Sequence, residues 1–195
     1  MENIVRRSPS RGRRCSFTGY RPQKMPFVQD EADPRFLDFK ERLRNTVEML
    51  ILQDFKHFIS SGAMGMDIWA AETVKALQTK YPEITLEMVS PFDGQADKWS
   101  DEYKERHNRL FAEADVVTVT GHKYTKSCMF TRNRYLVANA DLLLAAFDGK
   151  QGGTAMTVEY AKKMRVQVLC IPPLPIHKAS PITAMKERGR DDNII

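Results

Sequence analysis

The chain has no apolar run near the roughly 18 residues that a membrane helix needs, and no apolar segment follows the arginines at its start as it would in a secretory signal. A cytoplasmic location with no membrane partner is expected. Cysteine is scarce: Cys15, Cys128 and Cys170 are the only three in 195 residues. They are far apart, form no C-x-x-C pair and join no histidine cluster, so neither a disulfide framework nor a zinc site is indicated. Two of them fall in strand-like segments, where a free cysteine serves as a small buried hydrophobe. There is no G-x-G-x-x-G fingerprint, no G-x-x-x-x-G-K-[ST] loop, no repeat and no internal linker. NAD or FAD in the usual pose and P-loop nucleotide hydrolysis are therefore disfavoured, and no cofactor is expected.

Net positive charge is nearly absent outside the N-terminus. The formal net charge is +5, and residues 1–14 alone hold five arginines against one glutamate, which accounts for four of those charges. Residues 1–13 read as a disordered basic arm and residues 176–195 as a loose tail, flanking one domain over 14–175. Such an arm offers non-specific phosphate contacts but no base-reading residues. Nucleic acid is thus a partner the arm allows and the rest of the chain does not favour. Self-association is left open.

Strand and helix patterns alternate along the chain. Cys15 to Thr18 reads as a first strand, followed by a loop to Asp33-Pro34, an N-cap with proline at the first helical position. Phe36, Phe39, Leu43, Val47 and Leu50 then make one apolar stripe at helical spacing. KHFISSG is a second strand, and the helix after AMGMD turns Ala70, Val74, Leu77 and Tyr81 inward. ITLEMVSPF alternates apolar with Thr85 and Glu87, which predicts a strand wet on one side and so at a sheet edge. A helix from Lys98 to Ala114 aligns Trp99, Tyr103, His107 and Leu110. ADVVTVTG, ADLLLAAFDG and VQVLCIPP supply three more strands, separated by the helices TRNRYLVANA and GGTAMTVEYAKKM. This pattern predicts a Rossmann-like, doubly wound, mostly parallel α/β sheet of about six strands with helices on both faces. The expected strand order is 3-2-1-4-5-6.

In such sheets ligands bind beyond the carboxyl ends of the strands. Three glycine-bearing turns map to that edge: TGYRP, SSGAMGMD and DGKQGGT. Gly152 and Gly153 let backbone approach a ligand, and Thr154 starts a helix whose free amides favour an anion.

The ordered motifs TGYRP, SGAMGMDIWAAE, SPFDGQADKW, CMFTRNRYLV and DGKQGGTAMTVEYA resemble those of the SLOG superfamily, which includes DprA/Smf and the LOG phosphoribohydrolases, and are most similar to its uncharacterised YpsA-like branch. The resemblance runs from Cys15 to Pro173. It implies a Rossmann-like domain that binds nucleotides or nucleotide-derived ligands, with contacts from Thr18, Gly19, Arg21, Ser61, Gly62, Gly65, Asp67, Gln95, Arg132, Asn133, Gly153 and Thr154. It implies no settled reaction.

Residue chemistry refines this expectation. Arg21 suits a bidentate phosphate contact. Asp67 is read as the N-cap of the second helix, and its carboxylate also suits a ribose hydroxyl. Arg132 and Asn133 are expected to open the short helix before the fifth strand, and the resemblance to the RN pair makes Arg132 the leading ligand contact. Arg134, about 100° further round, should face elsewhere. Phe92 and Trp99 are candidates to stack on a base, with Gln95 reading its edge, although both rings also fit a core. His107 reads as structural, and His122 is the one histidine kept as a candidate, without a reaction role.

Three functional classes follow. LOG proteins carry P-G-G-x-G-T-x-x-E, whereas QGGTAMTVE here sets Glu159 about 100° off that register, toward Lys163 and solvent. A catalytic glutamate is therefore not carried across, and Glu72 is a weak substitute for nucleotide N-glycoside hydrolysis. Binding of a nucleotide-derived signal as a sensor or adaptor needs only the glycine turns with Arg21 and Arg132, and is the leading reading. DprA-like single-stranded DNA binding is the third, opposed by the near-balanced charge outside the arm and the lack of a basic stripe with interleaved aromatics.

Overall fold

A computed structural model describes residues 12–27 and 30–174. Strands β1 (Arg13–Gly19), β2 (Phe55–Ser60), β3 (Thr85–Ser90), β4 (Val116–Val119), β5 (Leu142–Ala146) and β6 (Gln167–Ile171) alternate with helices α1 (Pro34–Leu52), α2 (Met66–Gln78), α3 (Asp101–Glu113), α4 (Cys128–Ala138) and α5 (Gly153–Lys163). A single 3-10 turn, Pro22–Lys24, follows β1. All five strand pairings are parallel. The doubly wound α/β architecture expected from the alternation is the one observed. The basic arm expected over 1–13 lies outside the described residues except at its end, where Arg13 already pairs with Phe55 in β1. The loose tail expected over 176–195 lies wholly outside them.

Local chemistry accounts for the main elements. Asp33 caps α1 by accepting from the Arg35 amide, with Pro34 at the first helical position. The stripe Phe36, Phe39, Leu43, Val47 and Leu50 is buried as its spacing requires, each such side chain contributing roughly 1.5–3 kcal/mol. Phe36 and Phe39 meet the Trp69 ring of α2 edge-on. Helices α1, α2 and α3 cover one face of the sheet over Phe17, Phe58, Leu86 and Leu144. On the other face, α4 and α5 cover Ile59 and Val89 on one side and Leu143 and Ala145 on the other.

The strand order is β4-β3-β2-β1-β5-β6, not 3-2-1-4-5-6. Strand β4 extends the sheet beyond β3, which is therefore interior and buried at all six of its residues. The alternation that looks wet is a buried polar network. Glu87 accepts from Thr118 and Tyr135 hydroxyls at 2.6 and 2.7 Å, and its other oxygen lies 2.8 Å from His57 Nε2. Thr85 Oγ1 lies 2.8 Å from His57 Nδ1. A buried carboxylate is tolerable when its lone pairs are met in this way.

Candidate functional site

A crevice opens in a parallel sheet where neighbouring crossovers leave in opposite directions. Here that point lies between β1, whose chain crosses toward β2, and β5, whose chain crosses toward β6. A cleft of about 340 Å³ occupies it. One wall is the end of β1 and the 3-10 turn, with Thr18, Gly19, Tyr20, Arg21 and Lys24; a second is the β2–α2 turn, with Ser61, Ala63, Met64 and Asp67. Met129, Arg132 and Asn133 of α4 and Gly153 and Thr154 of α5 complete it.

Arg132 is only 6% exposed. It lies in the second turn of α4, which begins at Cys128, rather than opening the helix as expected. Its Nη1 donates to the Ser61 carbonyl at 3.2 Å and its Nε to Asn133 Oδ1 at 2.8 Å. Asn133 in turn donates to Thr157 Oγ1 at 3.0 Å, tying α4 to α5. Burial lowers the Arg132 pKa against the pull of Asp67, and the positive charge of Arg21 adds to the lowering.

Asp67 is not an N-cap. Gly65 takes that position, and Asp67 sits inside the first turn of α2 with its carboxylate accepting from Ser61 Oγ at 2.5 Å. Burial raises its pKa, while Arg132 and the Ser61 hydrogen bond oppose the rise. Asp67 is the one carboxylate among the lining residues, against Arg21, Lys24 and Arg132. Arg21 is exposed, and neither its guanidinium nor the Lys24 ammonium has a hydrogen-bond or ion-pair partner among the described residues. The amides ahead of Met156, which donates to the Gly152 carbonyl, have no partner within α5. A concave wall with surplus positive charge and unpaired amides is suited to an anion.

Nine of the expected ligand contacts line this cleft: Thr18, Gly19, Arg21, Ser61, Asp67, Arg132, Asn133, Gly153 and Thr154. Five do not. Gly65 instead lets two turns touch: at φ 90° it adopts a conformation that favours glycine, and a Cβ there would run into the Tyr20 carbonyl oxygen. Gly62 faces α3, where a Cβ would come within 2.8 Å of the Phe111 ring. Gly152 precedes α5 beneath the Lys24 ammonium, 3.3 Å from where its Cβ would stand. Gln95 is buried behind the β2–α2 turn, with Nε2 3.5 Å from the same Ser61 carbonyl that Arg132 reaches. Phe92 lies edge-on to Tyr124 in a separate pocket of about 330 Å³.

The remaining candidates fall away from the cleft. Trp99 meets the His107 ring edge-on, and burial lowers the His107 pKa, in keeping with a structural histidine. His122 is 86% exposed in its side chain and faces Asp93. Glu72 holds Arg106 through both carboxylate oxygens at 2.7 and 2.8 Å, and Glu159 is exposed. Arg134 points away from the cleft, as its helical offset requires, and lies over the Phe130 and Tyr160 rings.

Sequence reasoning missed five of the lining residues: Tyr20, Lys24, Ala63, Met64 and Met129. Lys24 had no legible signal, because the stretch after the first strand reads as a loop and only the folded 3-10 turn Pro22–Lys24 brings it to the cleft. Tyr20 locks two walls together: its hydroxyl donates to Asp148 Oδ1 at 2.5 Å, joining the β1 loop to the loop after β5. Among the described residues no group of His, Cys, Asp or Glu could hold a metal, and no helix is long and apolar enough to cross a membrane.

The model of the YspA SLOG family matches residues 15–170. A UPF0398 protein of Bacillus pumilus is 34% identical over 140 residues, covering 70% of this chain and 74% of that protein. One from Lysinibacillus sphaericus is 30% identical over 149 residues, covering 75% and 81%. Among solved structures, DNA processing protein A from Helicobacter pylori, described for its single-stranded DNA binding mode, is similar with a TM-score of 0.59 and 17% identity over 83% of this chain. DNA processing protein A from Streptococcus pneumoniae is similar at 0.55 and 16% over the same share. The chain spans 66% and 51% of those two longer proteins, and at such identity the likeness is one of fold.

Proposed function

This chain belongs to the YspA SLOG family, and from that premise we propose that it binds a nucleotide or nucleotide-derived phosphorylated ligand at the carboxyl edge of its sheet, as a sensor or adaptor domain. The observation that carries the reading is the convergence of Arg21, Lys24, Arg132 and the start of α5 on one cleft whose single opposing carboxylate is Asp67. Turnover has less support. Glycosidic hydrolysis wants a carboxylate free to stabilise an oxocarbenium-like centre or to activate water. Glu159 is exposed, Glu72 is engaged by Arg106, and Asp67 is held by Ser61. The test is a thermal-shift screen of nucleotides, followed by chromatography of the incubated mixture. A raised melting temperature without released base supports a binding module; free base supports a hydrolase; no shift with any phosphorylated compound refutes the proposal.

A second reading, single-stranded DNA binding, is favoured by the fold shared with the Helicobacter pylori protein. DNA affinity that survives removal of residues 1–12, which leaves β1 whole, supports that reading, and affinity that disappears with them assigns it to the arm.

A further inference from the structure

The pocket holding Phe92 and Gln95, expected to receive a base, shares no lining residue with the anion cleft, and its walls include Asp93 and Asp97. A different hollow adjoins the cleft directly. Between the N-terminal halves of α4 and α5 lies a groove of about 220 Å³ that shares Met129, Asn133 and Gly153 with it. Phe130 and Met156 also line the groove and are 45% and 59% exposed, so the fold itself buries neither. The Arg134 guanidinium sits 5.6 Å from the Phe130 ring centroid and 5.4 Å from that of Tyr160, to whose hydroxyl its Nε donates at 3.3 Å.

Resting on the proposed phosphate-binding role of the cleft, we infer that this groove is the nucleobase subsite of the same ligand. The phosphate lies against Arg132 and the start of α5, and the chain of atoms passes Asn133 and Gly153 into the groove. The chemistry of the walls selects a base over other appendages. Rings, a thioether and a guanidinium plane stack on a flat π-system regardless of its sequence identity. Lys126 and Arg134 supply donors only, and no carboxylate lines the groove, which matches the acceptor nitrogens and oxygens of a base edge. An acyl chain would cover those two cations without replacing their water, at a cost in free energy.

Calorimetric titration of the full chain with inorganic phosphate, ribose 5-phosphate, AMP and GMP tests this. Stacking a base contributes a gain of about five- to 150-fold, so both mononucleotides should bind at least about fivefold tighter than ribose 5-phosphate. In the double variant Phe130→Ala/Met156→Ala, whose side chains are exposed, the advantage of AMP should vanish while ribose 5-phosphate binds as before. If AMP binds no better than ribose 5-phosphate, the subsite is overturned and the anion cleft stands. A base advantage that survives the double variant but disappears in Phe92→Ala also overturns it, and moves the base to the other pocket. If none of the four compounds binds, the anion cleft fails and the subsite fails with it.

Discussion

Replacing Arg132 by glutamine removes one charge from the cleft while keeping an amide able to donate to the Ser61 carbonyl, which Arg132 now reaches at 3.2 Å. A charge-assisted hydrogen bond from arginine to phosphate contributes about 1.5–3 kcal/mol, so affinity for AMP should fall by roughly ten- to a hundredfold. The effect is readable by thermal shift. A ligand at a hundred times its Kd stabilises the wild type by about 2.7 kcal/mol, which for a chain of this size raises the melting temperature by about 5–11 °C. After a tenfold loss the same concentration contributes about 1.4 kcal/mol, and after a hundredfold loss about 0.4 kcal/mol. The shift should thus be halved or nearly abolished. It must be measured against the variant's own unliganded midpoint, because Asp67, buried beside Arg132, loses the positive charge that opposes its raised pKa. Arg21→Ala supplies the comparison: the side chain is exposed and without a partner among the described residues, so its loss should weaken AMP binding with little change in the unliganded midpoint. A full-size AMP shift in Arg132→Gln would refute the placement of phosphate in this cleft.

Gly65→Ala should destabilise by about 1–3 kcal/mol from backbone strain alone, whereas Gly153→Ala, with no atom within 4 Å of its would-be Cβ, should stay within about 0.5 kcal/mol of wild type; chemical denaturation separates them. Glu87 is pushed up by burial, but the bonds from His57, Thr118 and Tyr135 outweigh this and hold its pKa below the ordinary 4.5. Its contribution is therefore complete above pH 4.5 and is lost as pH falls through the folded value, and Glu87→Gln should flatten that acid limb while costing about 2–3 kcal/mol at neutral pH. Asp67 has the opposite sign. Its folded pKa lies above 3.8, so its contribution is greatest below pH 3.8 and declines as pH rises to the folded value; urea titrations of wild type and Asp67→Asn across that window should diverge accordingly. Glu72→Gln should lower the melting temperature through its broken pairing with Arg106 and leave AMP affinity unchanged; a changed affinity would contradict its distance from the cleft.

The fold was legible because apolar patterning and glycine turns are local signals. The α1 stripe, the continuous apolar run of β5 and the three turns at one sheet edge each follow from spacing alone. Strand order was misread because a one-letter pattern cannot distinguish a polar side chain facing water from one facing buried partners. Thr85 and Glu87 meet His57, Thr118 and Tyr135, which come from two neighbouring strands and a helix. The site was misread for the same reason in reverse. Asp67 stands where a helix-capping residue is common, yet Gly65 caps the helix and the carboxylate turns inward to Ser61. Gly62 and Gly65 look like ligand-approach glycines in sequence, but each makes room for another part of the protein, Phe111 in one case and the Tyr20 backbone in the other.

The same long-range closeness bears on the proposed binding role. The Ser61 carbonyl accepts from Arg132, its hydroxyl donates to Asp67, and Gln95 backs the turn from the far side. These bonds fix Arg132 at one wall before any ligand arrives, which reduces the ordering cost of binding. They also immobilise the single carboxylate in the cleft. Burial raises the Asp67 pKa against the lowering by Arg132 and by the Ser61 hydrogen bond, and its Oδ1 is already engaged by the Ser61 hydroxyl. Under the proposed binding role, with Glu159 exposed and Asp67 held by Ser61, Arg21, Lys24 and Arg132 are left to hold the anion, and free base released from an incubated nucleotide would refute that role.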